Sequence, residues 1–402
     1  LSPSTGLAQL QAFCALLLED LPLQQALRRS ADNGAFVAAF LEAAGQRGFV
    51  LTADDVHSAM RAREFDIERS PDAEVTATSL PPHGWLPIAA SWHGDELYAD
   101  WAYFGERHLR DSFFEGDVRA CLRAPFNRLV RYVTPIETIA AWLDSRPHLQ
   151  PSGFIFHMSR CGSTLLTQML AAPPSNIVVS EADPIDAVVQ AHLRRPDLSQ
   201  DRQARWLASI IGALGQKRRG DERAYLIKLD SWHSQDLPLF RRAFPAVPWL
   251  FLYRDPVEVL VSHLRIPGTQ MLPDGIGAKL YGLERSYGPG GAEDYYARVL
   301  ARIIEPVVQQ YREGGGLLVN YRELPKALFA SILPHFGVAC GEADRAAMTA
   351  AARYDAKTPG VPFASDSEAK QLKATEAART AAARWLDVPY RRLEALRAGR
   401  VC

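Results

Sequence analysis

Between residues 154 and 170 the chain reads FIFHMSRCGSTLLTQML, an apolar run that meets the polar turn Ser159-Arg160-Cys161-Gly162-Ser163-Thr164 and then resumes apolar spacing at helical period. A strand that ends in a small-residue turn opening a helix makes a cradle for an anion, because the first N–H groups of a helix point outward without partners. Ser159, Ser163 and Thr164 add hydroxyl donors, and Arg160 adds a permanent cation able to fork onto oxyanions. Gly162 is expected to let the ligand approach closely. The ligand implied is phosphate-like. A second cationic pattern lies in PWLFLYRDPVEVLVSHL, residues 248–264. Arg254 ends an apolar run, Pro256 can start a helix, and Ser262 lies two turns along it. Both side chains could face one phosphate near the carboxyl ends of strands, where open α/β sheets bind ligands.

Two familiar phosphate chemistries do not fit. A nucleotide kinase or NTPase would carry G-x-x-x-x-G-K-[ST], yet no Lys follows Gly162 and the preceding glycine is Gly153. A tyrosine phosphatase would carry an arginine after its cysteine, whereas Arg160 precedes Cys161. Cys161 therefore reads as a small loop residue rather than a nucleophile. An unoccupied strand–helix connection is the plainest alternative for the whole turn.

The elements that must position these residues alternate. GFIFH, NIVVS, AYLIKL, PWLFLYR and GLLVN read as short buried strands, with helical patterns at 164–172, 201–217, 234–244 and 256–264 between them. Such alternation predicts an α/β domain with a mainly parallel, three-layer sheet over 151–402, with C-terminal helices. The glycine-rich GPGGAED at 288–294 and GGG at 314–316 lack a strand–GxGxxG–helix context and read as loops. The polar stretch 353–375 reads as a solvated loop or as a lid, with Lys357 or Lys370 as further phosphate contacts.

The turn SRCGSTLL resembles the phosphosulfate-binding loop of sulfotransferases that use 3′-phosphoadenylyl sulfate (PAPS), usually written with PKSGTT or PRSGST. The 248–264 segment resembles the same family's strand–R-[DN]-P-x-x-V-x-x-S–helix, in which the Arg and Ser pair, here Arg254 and Ser262, holds the 3′-phosphate. LLVNYRELPKALFASILPHFGV, residues 317–338, is similar to a later strand and helix of the family. The resemblance spans about residues 150–340 and departs at Cys161, where Ser is usual. It implies sulfuryl transfer from PAPS to a hydroxyl or amine, with 3′,5′-bisphosphoadenosine as product, the P-loop-like fold, nucleotide binding by residues 159–164, Arg254 and Ser262, and no required metal. Arg160 would offset charge on the leaving bisphosphate. An acceptor hydroxyl needs a base, and Glu181, after the strand NIVVS, is the expected one. In the tyrosylprotein branch of the family a glutamate after that strand serves as base, and a lysine at the strand end matching Lys228 contacts the sulfuryl group. His157, His192 and His233 are rival bases. Asp230, Trp232 and His233 could line an acceptor pocket. A P-loop kinase or NTPase, and a non-catalytic peptide-binding protein, are the competing readings.

The first 62 residues read as a small all-α domain. Leu7, Leu10, Phe13, Cys14, Leu17 and Leu21 recur at helical spacing, Asp32 can cap a helix bearing Phe36, Val37, Phe40 and Leu41 that stops near Gly45, and Thr52 with Asp55 suggests a capped third helix. LQAFCALLLEDLPLQQALRRSAD and FLEAAGQRGFVLTADDV resemble the Nif11-type leader domain, which implies a recognition role. Residues 63–150 read as a linker followed by an aromatic-rich segment packing on the core, carrying Trp85, Trp92, Tyr98, Trp101, Tyr103, Phe104, Phe113, Phe114 and Phe126. Thr134-Pro135-Ile136-Glu137 is expected to open a helix with Thr134 as its cap. With 45 basic and 46 acidic side chains, a net charge of −1, no global field favours nucleic acid or an anionic membrane. Five scattered cysteines without a CxxC predict a reduced, cytoplasmic protein with neither disulfide framework nor zinc site. No membrane span and no signal peptide are expected in the sequence given. The acceptor, a small molecule or a peptide, is not fixed by these residues, nor is the oligomeric state.

Overall fold

Capping chemistry sets the first four helices, Pro3–Glu19, Leu21–Leu27, Asn33–Gly45 and Ala53–Ala62. Asp20 and Asp32 each accept a backbone N–H, from Leu23 and Ala35, at 2.9 Å. Thr52 and Asp55 cap reciprocally: the Thr52 N–H donates to Asp55 Oδ2 at 2.8 Å and the Asp55 N–H to Thr52 Oγ1 at 3.2 Å. Leu10, Phe13, Leu17, Phe36, Val37 and Phe40 are buried, with Phe13 edge-on to Phe40 at 4.9 Å. Leu7, read as part of this apolar face, is 55% exposed.

The computed structural model describes residues 3–30, 32–62, 78–355, 360–362, 364 and 366–399. They fall into two compact units: Leu1–Leu149 with Ala182–Glu222, and Gln150–Glu181 with Arg223–Cys402. Segment boundaries at 62 and 150 stay a proposal. In the first unit the aromatic-rich stretch forms a three-stranded antiparallel sheet of β1 (Trp85–His93), β2 (Glu96–Tyr103) and β3 (Tyr132–Pro135), in that order. The turn between β1 and β2 is Gly94-Asp95, with Gly94 at a φ of 60°. Pro87 is tolerated because β1 is an edge strand whose register shifts between Pro87 and Ala89. Trp85 and Trp101 are fully buried, while Trp92, Tyr98, Tyr103 and Phe113 are half-buried. Thr134 is a correction. It lies inside β3, where its hydroxyl accepts the Trp101 indole N–H at 2.9 Å, and the helical turn starts only at Ile136. The buried hydroxyl is worth more to Trp101 than to a helix start.

All five strands expected in the second unit form: β4 (Gly153–His157), β5 (Asn176–Ser180), β6 (Ala224–Lys228), β7 (Trp249–Tyr253) and β8 (Gly316–Asn320). They make one wholly parallel sheet in the order β5-β6-β4-β7-β8. Every residue of β4 to β7 is buried, which is why these strands read as unbroken apolar runs rather than alternating ones. The fold is thus α/β with a helical N-terminal region and, unforeseen, an antiparallel sheet between the two. Among the described residues no helix is long and apolar enough to cross a membrane, and Cys14, Cys121, Cys161 and Cys340 are in no disulfide.

Candidate active site

The turn after β4 is wound left-handed. Ser159, Arg160 and Gly162 have φ of 70°, 51° and 89°, and Gly162 leads into the helix Ser163–Ala171 with no side-chain cap. Two non-glycine residues in this region cost on the order of 1 kcal/mol each, a strain that surrounding bonds must hold. The Ser159 N–H donates to His157 Nδ1 at 3.1 Å, and the Cys161 thiol donates to the Leu252 carbonyl at 3.1 Å. Cys161 is fully buried, and burial pushes its thiol up to about 12, so it is no thiolate nucleophile at neutral pH. A Cβ at Gly162 would come within 2.6 Å of the Tyr321 ring, so the missing side chain makes room for Tyr321.

Beyond the end of β5, Glu181 also takes a left-handed backbone, with φ 52°, and its N–H donates to the Lys228 carbonyl at 2.8 Å. Its Oε1 lies 3.0 Å from Lys228 Nζ and 3.4 Å from His157 Nε2. The lysine side chain is wholly buried, while the glutamate keeps 23% of its surface exposed. Burial alone would raise the Glu181 carboxyl. The Lys228 ammonium and the His157 hydrogen bond outweigh it and hold the group below the usual carboxylate range. Burial likewise lowers His157, opposed by Glu181. Because the Ser159 N–H occupies Nδ1, the neutral imidazole carries its proton on Nε2, facing Glu181. Arg160 donates to the Ile266 carbonyl at 3.0 Å and lies within electrostatic reach of Glu181. Of the other histidines, His233 lies on the turn Ser231–Asp236, 4.0 Å from Asp230 Oδ2, and His192 in the first unit bonds the Val189 carbonyl at 3.0 Å.

At the end of β7, Arg254 is 4% exposed and already engaged. Nε donates to Glu258 Oε2 at 2.5 Å, Nη2 donates to Asp366 Oδ1 at 2.6 Å and to Ser367 Oγ at 3.0 Å, and the guanidinium lies 4.0 Å over the Tyr321 ring. Asp255 caps the helix Pro256–Arg265 through the N–H groups of Val257 and Glu258, and Ser262 sits buried along it. Lys370 pairs with Asp366 at 2.8 Å. Lys357 lies outside the described residues.

The sheet order therefore delivers candidate residues at the carboxyl ends of four neighbouring strands: Glu181 after β5, Lys228 on β6, His157 and the turn on β4, and Arg254 after β7. The chain moves off β4 to one side for β5 and to the other for β7, so the turn stands at the switch point of the sheet. Tyr321 links the turn to Arg254, filling the space beside Gly162 and lying under the Arg254 guanidinium. Sequence reasoning missed it, although an aromatic directly after β8 was the available signal. Nothing local could have announced Asp366, which is 112 residues from its arginine.

No protein-family model matches the chain, and no curated protein matches it. Among solved structures it is similar to the sulfotransferase domain from the olefin synthase of Synechococcus PCC 7002, at 17% identity and a TM-score of 0.37, over 63% of this chain and 96% of that one. It is similar to sulfotransferase STF9 from Mycobacterium avium at 16% identity and a TM-score of 0.36, over 62% and 81%. It is similar to the sulfotransferase domain from the curacin biosynthetic pathway at 16% identity and a TM-score of 0.37, over 59% and 98%. Likenesses this distant carry no argument about donor, acceptor or mechanism.

Proposed function

We propose that the chain is a sulfotransferase that moves a sulfuryl group from PAPS to a hydroxyl or amine of a small-molecule or peptide acceptor. The observation that carries the reading is the row of four neighbouring strand ends, which brings the turn, a half-buried carboxylate paired with a buried lysine, and a buried arginine to one end of one sheet. On this reading the N–H groups of the turn, with Arg160, hold the sulfated end of the nucleotide, and Arg254 with Ser262 holds the 3′-phosphate. Asp366 occupies the outer edge of Arg254, so the phosphate must displace that carboxylate. Lys370, freed from Asp366, is placed to follow the phosphate.

Glu181 takes the proton of the acceptor hydroxyl. The acceptor oxygen forms a bond to sulfur, the bond from sulfur to the bridging oxygen breaks, and its electron pair stays on the 5′-phosphate. A carboxylate pinned by an ammonium is a weak base. A sulfate oxygen competing for Lys228 withdraws that counter-charge and raises the proton affinity of Glu181 when the donor is present. The sulfuryl group carries less charge than a phosphoryl group, so the reading calls for no bridging magnesium.

The test is ligand-induced thermal stabilisation followed by turnover. 3′,5′-Bisphosphoadenosine should raise the melting temperature without magnesium, and AMP should do so far less. Stabilisation by magnesium-ATP alone would favour a kinase, and no response to either nucleotide would favour a peptide-binding protein. With labelled PAPS and a panel of alcohols, phenols, amines and peptides, Glu181→Gln should lower turnover while leaving bisphosphoadenosine affinity near normal.

A further inference from the structure

Away from that sheet edge, the first unit holds a cationic cavity of about 190 Å³ whose lining includes Arg28, Tyr103, Phe104, Arg107, Cys121 and Phe126. Arg28 closes the helix Leu21–Leu27. Its guanidinium lies 3.7 Å over the Tyr103 ring and 5.7 Å from the Phe126 ring. Ring faces stabilise the charge but accept none of its N–H bonds in the plane. Nη1 is buried and, among the described residues, has no hydrogen-bond partner. The titratable groups bearing on Arg28 are the phenols of Tyr103 and Tyr132, and not a carboxylate. The surrounding charge is also positive. Cys121 at the cavity wall lies in the field of Arg107, Arg218 and Arg131, with Asp117 as the opposing acid. That acid is spent on the backbone N–H groups of Arg110 and Asp111, and Arg218 is matched by Glu222.

We propose that this cavity binds a carboxylate carried on a compact apolar body. A planar guanidinium seated over a ring offers a fork of N–H donors, which matches two carboxylate oxygens. Tyr103, Phe104 and Phe126 supply apolar walls for the body, and the space suits a fragment rather than a drug-sized ligand. A dianionic phosphate would call for a second desolvated cation, whereas Arg107 is exposed. The carboxylate can come from a free aromatic acid or from the C-terminal residue of a peptide. The inference is independent of the sulfotransferase reading.

Titration of the full chain by isothermal calorimetry tests it, with benzoate, benzamide, N-acetyl-glycyl-phenylalanine, the amide of that peptide, and inorganic phosphate. Benzoate or the peptide acid should bind saturably, and the matching amide about tenfold or more weakly. Arg28→Gln should lose a similar factor, and excess bisphosphoadenosine should leave the affinity unchanged. The tighter of the two acids identifies the source of the carboxylate. Equal binding of acid and amide, tighter binding of phosphate, displacement by the nucleotide, or an Arg28→Gln chain that binds like the parent each overturns the proposal. If Arg28→Gln does not fold, Arg28→Lys, which keeps the charge and loses the planar fork, replaces it with the same expected loss.

Discussion

At the scale of single residues, the candidate site depends on where charge and backbone strain are held. Lys228 and Glu181 form a pair in which one side chain is wholly buried. Glu181 titrates lower in the folded chain than in the unfolded one, so its pairing contributes stability that is fully present above about pH 4.3 and is lost as pH falls through the folded value. Lys228→Met removes the counter-charge and leaves burial to act on the carboxyl alone. We expect it to cost about 3 kcal/mol or more in urea unfolding at pH 7. That cost should shrink at pH 5, because burial without the ammonium moves the variant's carboxyl upward toward its neutral form while the parent's stays ionised. An equal cost at both pH values contradicts the pairing. Gly162 combines a φ of 89° with the Tyr321 ring at 2.6 Å from any added Cβ. Gly162→Ala should therefore cost about 2 kcal/mol or more, read from chemical denaturation. Adding Tyr321→Ala should recover the steric part and leave the backbone part; strictly additive losses would deny the contact. These residue types were legible from the chain: Glu181, Lys228 and the turn all meet at neighbouring strand ends. Their partners were not. Whether Glu181 pairs with Arg160 or with Lys228 depends on side-chain direction across the sheet, which spacing along one strand does not encode.

Helices and strands differed in how openly they declared themselves. The five parallel strands were read from apolar runs bounded by turn residues, because in β4 to β7 burial on both faces removes the need for polar alternation. The antiparallel strands β1 to β3 were passed over for a related reason. Their aromatics fill both faces, so the period-2 signal is weak, and only Gly94-Asp95 between WLPIAASWH and ELYADWAY marks the hairpin. The helix Ser367–Lys373 was read as a polar loop or lid, since none of its residues is buried. What fixes it is polar: Ser367 donates to Glu258 at 2.9 Å and Gln371 to Asp255 at 3.0 Å. This element makes its own prediction. Asp366, just ahead of the helix, is half-exposed and occupies Arg254. Asp366→Asn should tighten 3′,5′-bisphosphoadenosine by about fivefold in a binding titration and leave AMP unchanged. Equal affinities for parent and variant would show that the carboxylate does not compete with the phosphate.

At the scale of the whole molecule, the compact units do not follow the chain in simple succession. Residues 182–222 belong with residues 1–149, and within that unit Ile185, Leu207, Ile210 and Ile211 are buried. A fragment ending at residue 149 lacks these side chains. We expect it to unfold without cooperativity in thermal denaturation, and to regain a sharp transition when residues 182–222 are supplied on a second chain. A sharp transition in the fragment alone would show that the insertion is dispensable. During synthesis β4 and β5 are the first strands of the parallel sheet to leave the ribosome, yet they never pair, because β6 lies between them and begins more than 40 residues after β5 ends. Two bare apolar edges must therefore wait on the nascent chain until Lys228 has cleared the exit tunnel, which makes this stretch of translation the moment when a holding chaperone matters most.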